Sequence, residues 1–277
     1  MVDELVVNNL LDKSDSPAGS TLWSAVKPVV DAVGEARSIP AVEVRPNLFL
    51  LPGDVRLAEF EQELNTFWGE CFQRKTRGFR GAGALSAIVT TAVRRFKIDY
   101  VFYDSGPNIG ALNRVILLDC DHFIIPAACD LFSLRAISTL GHTLETWIKD
   151  WATIADLAPE DQLLLAGMPQ LLGFIPQRFR VYRGLPAAQY ARFLPLLEKR
   201  INSEVIARLR KIDLGLLPPT GEALKIGEVK DFGSLSTASQ DEGVPIAYVD
   251  HAGTPDQKSE AKAVFTILAQ AIMKRTE

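Results

Sequence analysis

The sequence is poor in the residues that bind metals or form covalent cross-links. It holds three cysteines, Cys71, Cys120 and Cys129, and three histidines, His122, His142 and His251. No two cysteines stand at CxxC spacing, and no histidine pairs with another or with a cysteine at a zinc-ligand interval. That excludes zinc-ribbon and disulfide-scaffold proteins. A chain of 277 residues, 47% hydrophobic, buries a core without such staples. Unpaired thiols predict a reducing, cytoplasmic setting.

Other absences narrow the field further. The longest uncharged run, Gln162 to Gln177 (QLLLAGMPQLLGFIPQ), is too short to span a bilayer comfortably and is interrupted by Pro169 and Pro176. It reads as buried strand and turn, and no membrane association is expected. The opening MVDELVVNNLLDKSD is acidic where a secretion signal is basic. There is no G-x-S-x-G elbow, no cysteine–histidine pairing for acyl transfer, and no internal repeat. The phosphate loop G-x-x-x-x-G-K-[ST] is also absent. Its nearest approximation, GFRGAGALS (Gly78 to Ser86), lacks the lysine and follows ECFQRKTR rather than an apolar strand, so a flexible loop is expected there.

The net charge of −4 conceals an asymmetry. Between Phe174 and Lys211 stand nine Lys/Arg (178, 180, 183, 192, 199, 200, 208, 210, 211) against Glu198 and Glu204. That segment carries +7, so the remainder carries −11. A basic face for an anionic partner and a solvated helix surface are equally consistent with it.

Apolar patterning gives the element order. NLFLLPGD (Asn47 to Asp54) predicts a strand and turn. In VRLAEFEQELNTFW, Val55, Leu57, Phe60, Leu64 and Phe67 form one helical stripe. ALSAIVTTAVRRF (Ala84 to Phe96) predicts a helix whose closing Arg94 and Arg95 suit the helix dipole. DYVFYD (Asp99 to Asp104) predicts a buried strand, followed by a helix from about Ile109 to Leu118. HFIIPA (His122 to Ala127) predicts another strand. Asp130 stands at an N-cap position before a long helix. QLLGFIP (Gln170 to Pro176) predicts a strand, with helices to follow over about 187–201 and 203–211. VPIAYV (Val244 to Val249) predicts a late strand, and Asp256 to Lys274 a closing helix. Strands that are continuous apolar runs alternating with helices mark a parallel sheet covered on both faces. The expected fold is α/β, three-layered, in one domain over 1–277 with its core from residue 47 and a partly flexible start.

Ligands on such sheets gather at the carboxyl ends of the strands, and Asp104 stands at one. An aspartate there serves as a magnesium-shell or water-orienting carboxylate, or else as a helix N-cap or a turn-former before Gly106-Pro107. Asn108 reads first as the cap of the next helix and second as a ligand-facing group. Arg114 reads first as a surface ion pair and second as a phosphate or subunit contact.

The stretch DYVFYDSGPNIGALNRVILLDCDHFIIPAACDLFSLRAISTLGHTL resembles the central part of ParA/MinD-type ATPases. NLFLLPGDVRLAEFEQEL and KDFGSLSTASQDEGVPIAYV resemble, more weakly and in the same order, flanking parts of that family. The resemblance implies a P-loop NTPase-like fold, ATP and Mg2+ as cofactors, and a homodimer. It also implies non-specific DNA binding, a partner protein of the partition type, and a role in positioning DNA or other cargo. It implies that Asp104 holds magnesium and the catalytic water. Gly106, Pro107 and Asn108 match the switch turn, Gln177 falls near the adenine, and Asp130 matches an acidic position beside the nucleotide. Arg208, Arg210 and Lys211 are the candidate DNA contacts. The family's opening βαβ portion with its lysine-bearing loop has no counterpart in these 277 residues. Two expectations stay open: an ATPase of this family incomplete for hydrolysis as it stands, or a degenerate, non-hydrolysing DNA- or protein-binding scaffold.

Overall fold

The computed structural model describes residues 14, 16, 18–106, 108–179, 181–182, 185–186 and 188–277. Pro107, Arg180 and Arg183 lie outside them. The chain divides into two compact units, Met1–Cys120 with Ile148–Gly167, and Asp121–Trp147 with Met168–Glu277.

In the first unit, helix α1 (Leu22–Val30) starts at Thr21, whose hydroxyl accepts the Ser24 N–H. It buries Trp23, Ala25, Val26 and Val29, in a region where sequence patterning gave no element. Strands β1 (Val42–Arg45) and β2 (Leu48–Leu50) pair antiparallel around Asn47, which takes the left-handed conformation that asparagine tolerates. The strand expected near Asn47 is therefore half of a hairpin and not a member of the parallel sheet. Phe49 stacks on Phe96, with ring centroids 4.6 Å apart. Helix α2 (Leu57–Phe72) buries Phe60, Leu64, Phe67, Trp68 and Cys71, a stripe of helical period. Val55 stands outside that stripe, 90% exposed.

Helix α3 (Thr76–Ala82) occupies the expected loop. A Cβ at Gly78 would lie 2.6 Å from the Cys71 nitrogen and 2.7 Å from the Phe67 oxygen, and one at Gly81 would lie 2.1 Å from the Phe67 ring. These glycines let two helix backbones meet. A sequence that punctuates like a loop is a helix because its contact face needs no side chains. Helix α4 (Ala84–Phe96) has the expected bounds and ends on Lys97 in the left-handed region.

DYVFYD is not a strand. Residues 101–106 run without regular structure, and among the described residues no strand pairs with them. A strand is stabilised by its ladder, and apolar composition alone does not supply one. Phe102 is accordingly 76% exposed. Helix α5 (Ala111–Asp119) follows.

The second unit contains the parallel sheet, in the order β3 (His122–Ala128), β4 (Gln170–Phe179), β7 (Val229–Lys230). The central β4 buries Leu171, Leu172 and Phe174, as a continuous apolar strand covered on both faces does. Two short strands, β5 (Val181–Tyr182) and β6 (Leu185–Pro186), pair antiparallel beyond it. Helix α6 (Leu131–Asp156) begins in this unit. Helix α7 (Ala188–Arg200) runs into a π-turn (Ile201–Ile206) and a last α-turn, α8 (Ala207–Leu209). The π-turn packs on α6 at Gly141, where a Cβ would come within 2.0 Å of the Glu204 oxygen.

Helix α9 (Ser234–Asp241) and the closing helix α10 (Pro255–Thr276) follow β7. Between them VPIAYV is not a strand either. It forms a 3-10 turn, Ile246–Tyr248. Its backbone bonds locally, with Tyr248 N–H donating to the Pro245 oxygen. Val249 packs with Phe232, Leu235 and Ala261, so a small separate cluster satisfies the apolar residues that suggested a strand. Among the described residues no helix is long and apolar enough to cross a membrane.

Candidate functional site

The structure divides the sequence-predicted residues between the two units. Asp104, Gly106 and Asn108 belong to the first, and Asp130, Gln177, Arg208, Arg210 and Lys211 to the second.

In the first unit, Asp104 is exposed. It is placed by its neighbour Tyr103, whose hydroxyl donates to Asp119 at 2.8 Å. Burial, and then the Asp119 charge, push that phenol well above its ordinary range. The following loop is fastened by Asn113, which donates to the oxygens of Gly106 (2.7 Å) and Asn108 (2.8 Å) and to the Asn108 side chain (2.9 Å). Asn108 is not the cap of α5. Its side chain accepts the Gly110 N–H at 3.0 Å, one residue too early to reach the helix's free amides.

The cap comes instead from α2. Glu61 accepts the Leu112 N–H at 3.3 Å, placing a carboxylate at the positive end of the helix. Gly110 makes room for it, since a Cβ there would lie 1.9 Å from the Glu61 oxygen. Replacing Gly110 with alanine should push this flexible carboxylate aside and weaken the helix start by about 1 kcal/mol. Amide exchange at Leu112 should then rise several-fold, and unchanged exchange would rule out Glu61 as the cap. Sequence patterning missed Glu61, because a cap 51 residues away leaves no local signal.

Arg114 is no surface ion pair. Its guanidinium lies 4.0 Å over the Trp68 ring, and Trp68 stacks on Trp151 at 5.5 Å. Burial lowers it to about 10, against the opposing pull of Asp150. It is a packing residue held by a cation–π contact.

In the second unit the register sets Ala128 beside Gln177, and Gln177 beside Val229. Gln177 therefore lies at the carboxyl edge of the sheet, where ligands of open α/β sheets bind, and Asp130 stands two residues beyond β3. Asp130 is the N-cap of α6, accepting the Ser133 N–H at 2.7 Å. The same edge holds a cluster the sequence did not disclose. The Tyr190 hydroxyl donates to Glu228 at 2.5 Å and Lys225 reaches Glu228 at 2.9 Å, while Tyr190 packs on Phe179 at 4.2 Å. Burial raises the Glu228 carboxyl, but these two bonds outweigh it and hold the group below its usual range. Burial first, then Asp130 and Glu228, push the Cys129 thiol up to about 11. Lys225 and Glu228 precede a strand of only two residues, too short to announce an edge.

The three basic candidates are not alike. Arg208 is held by Glu145 at 3.0 Å and Glu204 at 3.5 Å. Arg210 and Lys211 are exposed and carry no ion pair to a described residue.

Residues 19–156 match the model of a family described as AAA domain. In this segment, just under half of its length, the chain is similar to the ParA/MinD-like P-loop family. Two solved structures share its fold. One is protein DIP2308 from Corynebacterium diphtheriae, with TM-score 0.72 and 20% identity, covering 100% of this chain and 84% of that one. The other is an ATP complex of a variant of Cyanothece McdA, with TM-score 0.54 and 14% identity, covering 87% of this chain and 74% of that one. Among curated proteins none matches this sequence. The ParA-like chain is thus α/β, with a parallel three-stranded sheet flanked by helices.

The residues present do not make a complete Mg-ATP site. Magnesium is usually held by one or two carboxylates together with phosphate oxygens and water, and Asp104 supplies one exposed carboxylate. Among the described residues no three or more His, Cys, Asp or Glu converge on a metal position. Gly78 and Gly81, two of the glycines nearest to a phosphate-loop pattern, are committed to the α2–α3 contact.

Proposed function

We propose that this chain is a ParA-like protein that positions DNA or another large cargo, and that its 277 residues do not hydrolyse ATP alone. The observation that carries this reading is a ParA/MinD-like domain over residues 19–156 in a sequence without G-x-x-x-x-G-K-[ST]. Phosphoryl transfer draws most of its rate from groups that hold and neutralise the phosphates. Asp104 without them orients nothing. The ATP of the McdA complex supports nucleotide as the ligand, and Asp104, Gly106, Pro107 and Asn108 of the first unit are the residues proposed to face it if the phosphate-holding part is supplied.

DNA is the proposed anionic partner, because Arg210 and Lys211 leave two uncompensated cations on a segment of net +7. Each phosphate contact contributes a slope of about −0.9 to log affinity against log salt. Reversing both charges should weaken binding of a duplex of arbitrary sequence at least about ten-fold at low salt and reduce the slope by about two. Reversing Arg208, already held by two glutamates, should affect binding less. Equal losses at all three positions, or none, would contradict this assignment.

A further inference from the structure

The segment 100–104 has the geometry of a strand without its ladder. The Tyr100 and Phe102 rings, two residues apart, stack on one side at 6.5 Å between centroids. Tyr103 points the other way and donates to Asp119. Side chains that alternate with period two mark an extended backbone. Among the described residues, no backbone N–H or C=O of Val101, Phe102, Tyr103 or Asp104 takes part in a hydrogen bond. Val101 is 45% and Phe102 76% exposed, so apolar side chains and unpaired backbone lie on one open segment. Such an edge is a template for an incoming strand.

The charge beside it is one-sided. Arg94, Arg95 and Lys97 close helix α4 and are exposed. None has an ion-pair partner among the described residues. Asp99 offsets one of the three, so this end of the segment keeps a charge of +2, and Asp104 puts −1 at the other.

We infer that this edge binds an extended peptide as an added antiparallel strand, apolar at alternate positions and acidic at its C-terminal end. A peptide backbone supplies donors and acceptors at the spacing of an empty ladder. In an extended chain the N–H and C=O groups of Val101 and Tyr103 point to one edge, and that edge is the one assigned. Antiparallel pairing is the more stable kind, and it brings the C-terminal end of the peptide to Arg94, Arg95 and Lys97. The alternate apolar side chains of the peptide cover Tyr100 and Phe102. A second copy of the segment fits less well, because pairing centred on Phe102 turns residues 106–110, which hold no acid, towards those cations. The site lies wholly in the first unit, and it needs no nucleotide.

A fluorescein-labelled synthetic peptide of alternating valine and threonine, ending in two glutamates, serves as the probe. Its anisotropy should rise to saturation with the 277-residue protein. At saturation, amide exchange at Val101 and Tyr103 should slow by about ten-fold or more. N-methylation along the pairing edge of the peptide keeps its side chains, removes its donors and should abolish binding. Lysines in place of the glutamates should weaken binding by about five-fold or more. Val101→Pro removes a donor from the assigned edge and should raise the dissociation constant by about ten-fold or more, whereas Val101→Thr should leave it within about two-fold. Neither change removes a backbone hydrogen bond within the described residues, so thermal unfolding of both variants should match the parent. The N-methylated peptide makes the same test without altering the protein. No saturable binding, equal binding of the N-methylated or the lysine peptide, or no protection at Val101 and Tyr103 overturns the proposal. Protection that grows with protein concentration in the absence of peptide assigns the edge to a second copy and overturns it too.

Discussion

Gly78→Ala is expected to destabilise the first unit by about 3 kcal/mol, at the upper end of what overpacking costs. The added methyl would meet the Cys71 nitrogen, the Phe67 oxygen and the Glu70 carbonyl carbon, all between 2.6 and 2.8 Å. These are backbone atoms of α2, and no rotamer change relieves the clash. Helix α3 must move away from α2, which uncovers Phe67 and Phe79, both buried. Urea unfolding should show a lower midpoint with an unchanged slope. Gly81→Ala should cost less, because its neighbour is the Phe67 ring, which can tilt. A loss below about 1 kcal/mol at Gly78 would mean that the two helices are not in backbone contact.

Arg275→Met is expected to cost about 3 kcal/mol by a different route. The guanidinium donates to the Leu172 oxygen at 2.6 Å and to the Ala223 oxygen at 2.8 Å, and lies 3.6 Å from Glu222. It fastens the end of α10 to the central strand. Methionine keeps much of the volume and removes every donor, so the Leu172 carbonyl loses its bond to Arg275 in an apolar setting. Glu222 is partly exposed and keeps Lys274 at 2.6 Å, so its charge adds little to the loss. Amide exchange should rise along Ile272–Thr276 and at Leu224–Ile226, and a variant as stable as the parent would refute the role of Arg275 as an anchor.

The sequence disclosed elements whose boundaries are set locally. Helix α4 begins after a glycine and ends at Lys97, strand β3 is an apolar run after its opening His122, and Asp130 caps α6 as its position three residues before the Ser133 amide requires. What it did not disclose depends on partners distant in sequence. DYVFYD has the composition of a strand, but composition does not say whether a neighbouring strand is there to pair with it. GFRGAG has the composition of a loop, but its missing side chains are what admits α2. Glu61 and the Tyr190–Glu228–Lys225 cluster are brought to their places by chain reversals that no window of sequence contains. The family resemblance marked Asp130 and Gln177. Strand register places Gln177 at the carboxyl edge of the sheet, whereas Asp130 has a structural task as the cap of α6.

The central claim is that this ParA-like chain carries the aspartate side of a nucleotide site without the part that holds phosphates. It is tested most directly by titrating Mg-ATP into the 277-residue protein in a calorimeter while following phosphate release. The predicted result is no saturable binding heat and no release above the rate without protein. Saturable, stoichiometric binding with phosphate release that Asp104→Asn abolishes would contradict it, because these residues would then hold and hydrolyse the nucleotide without a phosphate loop.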